Sequence, residues 1–467
     1  MTREVIYNSL LIKKRRQIHA EVGRAIEALY PDRLEEHCEL LAYHYSRSAN
    51  ADKAVDYLDL ANRKAVKLRA MEEAKAYFDE AMAHLDTLPE SVENRQRRIS
   101  LLVGQGEVFL LLAKTSEYYD LLTRYEPMAI ELGNQALLGA LYSRTGYCDF
   151  ELGQFDEGIN RLTKAAELCE AAGEVEDAGY AYAWLGWNHL YRGHYESALA
   201  AKEELLRTME QRFNPCWLVR GLGAASRACI CLGRWDEAVE EAQKALKIAE
   251  ESSDNSLVVY SAWTLSMAYT WRGDLDRGVE YGELALQKAV TPADRAWAQR
   301  GLGWALCRAG EANKGIELLT SALQNFQNRG RMPGIIASTC TIGAGYWLGR
   351  EDDKARKTLE DALKIAGRCG ARYYIGWAHR FLGEIALKAD PARAVSHFEK
   401  SIAVLQKINA ENDLALAYAG YGRLQKKQGQ FAQAREYLTK ALQIFERLGT
   451  LIEPDKVREI LTELPEV

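Results

Sequence analysis

One spacing governs what this chain can fold into. A small residue, glycine seven positions later, a bulky residue two further on, then alanine or glycine three beyond recur along most of its 467 residues. Gly146, Gly153, Phe155 and Gly158 show it; so do Gly186, Gly193, Tyr195 and Ala198, and again Gly422, Gly429, Phe431 and Ala434. The first small position runs through Gly106, Gly146, Gly186, Ser226, Ser266, Gly303, Gly343, Gly383 and Gly422, at intervals of 40, 40, 40, 40, 37, 40, 40 and 39 residues. So regular a ladder marks a repeat architecture, each unit one supersecondary element stacked on the next. The short interval is expected to lose its three residues in a loop around Thr291-Pro292, where deletion is tolerated.

Each position has a physical role. The small residue lets two helices of a pair approach closely, and the alanine or glycine twelve positions on sits opposite it. The glycine between them ends the first helix, because only glycine takes the left-handed cap without strain. Acidic residues follow in Phe155-Asp156-Glu157, Trp235-Asp236-Glu237 and Leu275-Asp276-Arg277, at the positive end of the next helix dipole. Over Glu237 to Glu251, Ala238, Ala242, Ala245 and Ala249 form one stripe at helical spacing. With only nine prolines, the chain favours helix throughout. No single pair can bury both its faces, so stacking is obligatory. The spacing predicts an all-α protein, a right-handed α-solenoid of antiparallel helix pairs.

This grammar resembles the tetratricopeptide repeat, whose period is about 34 residues; the longer period here implies helices extended by a turn or less. About nine such repeats are expected over residues 99–450, after a short helical lead-in over 51–98, where Ala54 and Ala74 stand only 20 apart. Glu453-Pro454-Asp455 opens a capping helix over 451–467. Upstream stand Arg3-Glu4-Val5-Ile6-Tyr7-Asn8-Ser9-Leu10-Leu11, then Arg15 and His19, Leu41-Ala42-Tyr43-His44-Tyr45 and Leu88-Pro89. On these motifs residues 1–112 resemble the junction between a signalling ATPase module and its helical-repeat tail in bacterial class III adenylate/guanylate cyclase proteins. The resemblance implies that residues 1–50 are the tail of the ATPase module, that the chain is a C-terminal region, and that the catalytic domains lie upstream.

A formal charge of −6 offers no basic nucleic-acid surface. The one dense basic run, Lys13-Lys14-Arg15-Arg16, reads as a solvated helix face. Nine cysteines without C-x-x-C spacing read as small buried residues in a reducing cytoplasm, with Cys229 and Cys231 on different sides of one helix. No apolar run is long enough to span a membrane. Phosphate loops, dinucleotide fingerprints, zinc spacings and nucleophile elbows are absent, so neither cofactor nor standalone catalysis is expected. His37 and His44, seven apart, could share a helix face as a metal pair but read better as packing residues.

Solenoids bind along the concave surface that first helices line. In tetratricopeptide proteins groove residues fall six before, three before and one after the small anchor, and the resemblance carries those offsets here. Six before gives Tyr180, Arg220, Tyr260, Trp297 and Trp377; three before gives Trp263, Arg300 and Arg380; one after gives Tyr147, Trp187, Arg227 and Trp304. Trp, Tyr and Arg are the types enriched at binding hot spots. The expectation is a groove over residues 180–380 holding an acidic, apolar peptide; the competing reading is that longer helices shift the register and these side chains fill the core between repeats. Three functions follow: a regulatory sensor of an attached or neighbouring ATPase/cyclase module that binds a protein or peptide, a free-standing scaffold for protein assembly, or a fragment of a cyclase.

Overall fold

The computed structural model describes residues 11–465. Apart from a 3-10 turn at Leu34–His37, the regular structure is α-helix, with no strand among the described residues. Two compact units are present, Met1–Thr145 and Gly146–Val467, and the boundary falls within the helix Gln135–Leu152. The Arg3 to Leu10 part of the junction motif lies outside the described residues.

In the first unit, Glu27 from the helix Ile12–Leu29 accepts hydrogen bonds from the hydroxyls of Tyr45 (2.8 Å) and Tyr57 (2.6 Å) and from the Lys53 ammonium, tying three helices together. His44 meets His19, Nδ1 to Nδ1 at 2.9 Å, while His37 stacks on Tyr30, so the suggested pairing of His37 with His44 is not formed. The helix over 92–111 breaks at Gly104-Gln105, where the Gln105 amide exchanges hydrogen bonds with Asn62. A Cβ on Gly106 would meet nothing nearer than 3.5 Å, so the first rung of the ladder lacks the tight approach of Gly146, Gly303, Gly343, Gly383 and Gly422.

In the second unit the helix pairs run Val175–Arg192 with Tyr195–Met209, Pro215–Leu232 with Trp235–Glu251, Asn255–Arg272 with Leu275–Lys288, Pro292–Arg308 with Ala312–Asn328, Met332–Leu348 with Asp352–Cys369, Arg372–Ala389 with Pro391–Lys407, and Glu411–Lys427 with Phe431–Leu448. The helix Glu453–Thr462 packs on the last pair through Val457, and Leu464 joins the same cluster. Several anchors lie against the backbone twelve positions on, while Gly146, Gly343 and Gly383 make room for the side chains of Leu162, Leu359 and Phe398. Ser226 and Ser266 donate to the carbonyls of Ala238 and Gly278, both at 2.7 Å. At Gly303 a Cβ would stand 2.8 Å from the Gly315 carbonyl oxygen.

The turn glycines Gly153, Gly193, Gly233, Gly273, Gly310 and Gly429 all have positive φ. In the repeat after Gly310 the glycine stands one place early, and Arg350 takes φ 62° instead. The 37-residue repeat corrects one expectation: the second helix, Leu275–Lys288, has 14 residues against 17 in Trp235–Glu251, while the connection to the next repeat stays at three. The deletion removes nearly one helical turn, not loop.

Gly186 and Gly303 separate packing from helix propensity. At Gly186 a new Cβ would touch Ala224 at 3.3 Å, so Gly186→Ala should be neutral or stabilising; Gly303→Ala should cost about 1–2 kcal/mol in urea unfolding, the clash outweighing the propensity gain. Equal effects would sink the close-approach account. A second prediction concerns pH. Burial, with His194 and His397 adding repulsion, holds His189 and His379 down at about 4. The unfolded chain therefore takes up these protons first, and stability should fall as pH drops from about 6.5 toward 4. A His189→Gln/His379→Gln double variant should lose part of that slope.

Candidate binding site in the repeat interior

First helices of 17 or 18 residues span nearly five turns, so more than one position per helix faces the axis of the second unit. The twelve residues picked out by offset all stand on first helices. Trp187 stacks on Trp263 at 6.2 Å between ring centroids, and Trp263 tilts onto Trp297 at 4.8 Å. Tyr147 meets Trp184 at 4.4 Å, with Tyr180 against both. Arg220 lies over Trp184 and Tyr260, Arg300 over Trp263 at 4.8 Å, Arg227 over Trp271 at 5.4 Å, and Arg380 over Phe381 at 3.9 Å. Trp304 stands 5.5 Å from both Trp271 and Trp377. Arg220, Tyr260 and Trp297 are half-buried and the other nine are buried.

The concave face expected to be an open groove is closed. Glu151 takes both forks of Arg331, 180 residues away, at 2.8 and 2.5 Å, which at 40 residues per repeat is a separation of four and a half repeats. The Tyr191 hydroxyl donates to the Pro333 carbonyl at 3.0 Å, Arg192 to that of Gly370 at 2.7 Å, and Trp271 Nε1 to the Tyr373 hydroxyl at 2.9 Å. Tyr373 donates in turn to Asp413 at 2.8 Å. The glycine turns dock on later connections: Gly153 on Met332 and Cys369, Gly193 on Ile408, Gly233 on Leu448, Gly273 on Leu451. Successive superhelical turns of this unit therefore touch, and side chains fill its axis.

Sequence reasoning missed the residues that close it. Glu151, Tyr191, Cys231, Trp271 and Arg308 all stand five after an anchor; Tyr373 and Tyr374 stand ten and nine before one, and Asp413 nine before. These are the inward positions that an added turn at each helix end creates, and helical spacing from the known offsets would have found them. Burial pushes the Tyr191 and Tyr373 hydroxyls well above the ordinary tyrosine range, so both stay protonated donors. Burial also raises the Asp413 carboxyl, with Arg380 at 3.9 Å and Tyr373 pulling it back. Glu151 more than offsets burial at Arg331 and holds it cationic. Cys231 lines the interior, Cys229 is also buried, and no group of three His, Cys, Asp or Glu suited to a metal occurs among the described residues. No helix among them is long and apolar enough to cross a membrane.

A family model described as tetratricopeptide repeat matches residues 374–447. No curated protein matches the chain. Among solved structures, the Rap conjugation gene regulator of the plasmid pLS20, in complex with the Phr* peptide, is similar over 76% of this chain and 97% of that one, with TM-score 0.51 and 16% identity. A Rap protein complexed with competence and sporulation factor aligns over 84% and 98% at TM-score 0.48 and 13% identity. The human IFIT1 dimer with m7Gppp-AAAA aligns over 80% and 81% at 0.46 and 18%. The first of these likenesses places the chain among tetratricopeptide-like helical repeats.

Trp263 is wholly buried between three aromatic rings. Trp263→Ala should lower the unfolding free energy by about 3–5 kcal/mol, read by circular dichroism in urea. A loss under about 1 kcal/mol would mean that the interior is open and solvated in solution.

Proposed function

We propose that this chain is a non-catalytic regulatory binding protein that takes a peptide or protein segment along the inward face of its second unit when the superhelical turns part. The observation that carries this reading is an unsatisfied interior. Tyr147 OH, Trp304 Nε1, Arg227 Nη1, Arg300 Nε and Arg380 Nε are buried without a hydrogen-bond partner. Each such donor costs about 1–3 kcal/mol, so a segment bringing carboxylates and carbonyls between the turns gains what the closed form leaves unmade. Aromatic rings beside the guanidinium groups suit acidic residues interleaved with apolar ones. The similar pLS20 regulator was solved with a peptide, and the shared fold supports a peptide here.

Closure then acts as the control. Glu151 with Arg331, Arg192 with Gly370 and Trp271 with Tyr373 hold the turns together, and a ligand that binds only the parted form shifts the population by its differential affinity. The resemblance of residues 1–112 to the ATPase-to-repeat junction of cyclase proteins names the element under control, a signalling ATPase or nucleotide cyclase, attached or neighbouring.

The test uses a library of fluorescent decapeptides mixing Asp, Glu and apolar residues, with small-angle scattering of the bound chain. Wild type should bind a subset and expand. Glu151→Gln, which weakens closure, should bind the same peptides about three- to tenfold more tightly, and Arg380→Gln about tenfold more weakly. Equal affinity for all three proteins, or binding without expansion, would overturn the inward-face reading. Incubation with ATP should give neither hydrolysis nor cyclic nucleotide; turnover would overturn the non-catalytic part.

A further inference from the structure

Arg220, Arg227 and Arg300 have no carboxylate, and of these Arg227 and Arg300 share a cavity. Arg331 has Glu151, and Arg380 faces Asp413 at 3.9 Å. Arg227 and Arg300, each only 3% exposed, form no ion pair. Arg227 has the face of Trp271 at 5.4 Å and an Nη1 without a partner. Arg300 has Trp263 and Trp297, a hydrogen bond with Tyr374, a weak thioether acceptor in Met267 at 3.4 Å, and an Nε without a partner. Both guanidinium groups line one small cavity, walled also by Trp187, Tyr191, Cys231, Tyr373 and Tyr374. The volume is about 10 Å³, room for about one water-sized occupant. Asp413, the carboxylate closest in effect to Arg227, is already engaged by Tyr373 and Arg380.

Two desolvated like charges sharing a cavity without a counter-charge are costly, and the cost falls sharply when an anion sits between them. We propose that this cavity is a receptor site for one small monatomic anion, a halide, held between the guanidinium groups of Arg227 and Arg300. Tetrahedral dianions are too large for the closed cavity. The walls come from the helices Val175–Arg192, Pro215–Leu232, Pro292–Arg308 and Arg372–Ala389, so the bound ion fastens first helices from distant repeats and favours the closed form. Burial lowers the proton affinity of Arg300, Tyr374 and Tyr191 offset part of this, and repulsion from Arg227 lowers it again. The inference stands apart from the peptide reading, since a free ion suffices to fill the site.

Thermal unfolding of the whole chain tests it, in a buffer whose only anion is bulky isethionate, with chloride, formate or phosphate added at constant ionic strength. Chloride should raise the melting temperature saturably, and formate and phosphate, both larger than the cavity, should not. Arg227→Met and Arg300→Met, which remove a charge that has no partner, should need about tenfold more anion for the same shift. A flat response in wild type, or the same response in both variants, overturns the proposal. Should the variants not fold, crystals of the wild-type protein soaked in bromide decide: an anomalous peak touching both guanidinium groups is required, and its absence overturns the site. A response to chloride alongside failure of every decapeptide would retire the peptide reading and leave the anion site standing.

Discussion

Everything in the second unit hangs on the absence of side-chain bulk at one position per repeat. With hydrogen at Gly303, or a hydroxyl at Ser226 that donates to the facing carbonyl, two helices touch backbone to backbone. That distance fixes the angle within a hairpin, and repeated stacking turns it into a superhelix whose inner wall is made of first helices. Aromatic and guanidinium groups on that wall gather at the axis because the hairpins repeat in register. No chemistry of their own draws them together.

Helix length then decides whether the axis is a channel or a core. The helices run about a turn longer than the shorter tetratricopeptide form requires. The added turns carry Glu151, Tyr191 and Trp271 at one end and place Arg331 and Tyr373 at the other, and the first three bond across superhelical turns to Arg331, the Pro333 carbonyl and Tyr373. A longer repeat thus turns a surface into an interior. The interior keeps polar atoms that its own side chains do not satisfy, which separates it from an ordinary apolar core and ties the two binding proposals to one physical cause.

What the sequence discloses here is local chemistry. The anchor, the turn glycine and the alanine stripe each do a job within one hairpin, so the ladder reads directly as helix pairs. Three things were not legible in the same way. The three-residue deletion left a normal connection and shortened Leu275–Lys288, because length lost from a helix end leaves the turn sequence intact. Gly106 keeps the spacing but not the contact, since Gln105 spends its amide on Asn62 and the helix breaks there. The offsets name positions on the first helices, yet burial there depends on pitch, which sums small adjustments over every interface. Contacts between residues 180 apart leave no periodic trace.

All ten tryptophans, from Trp184 to Trp377, fall in the second unit, and Trp187, Trp263, Trp271, Trp304 and Trp377 sit at its closed axis. The first unit has tyrosine as its only near-ultraviolet fluorophore beside phenylalanine. Emission from this protein is therefore a report on one unit alone, and chiefly on how dry its axis is. Parting the turns would wet five indoles together and move their emission to longer wavelength, giving the molecule a built-in optical gauge of its own pitch.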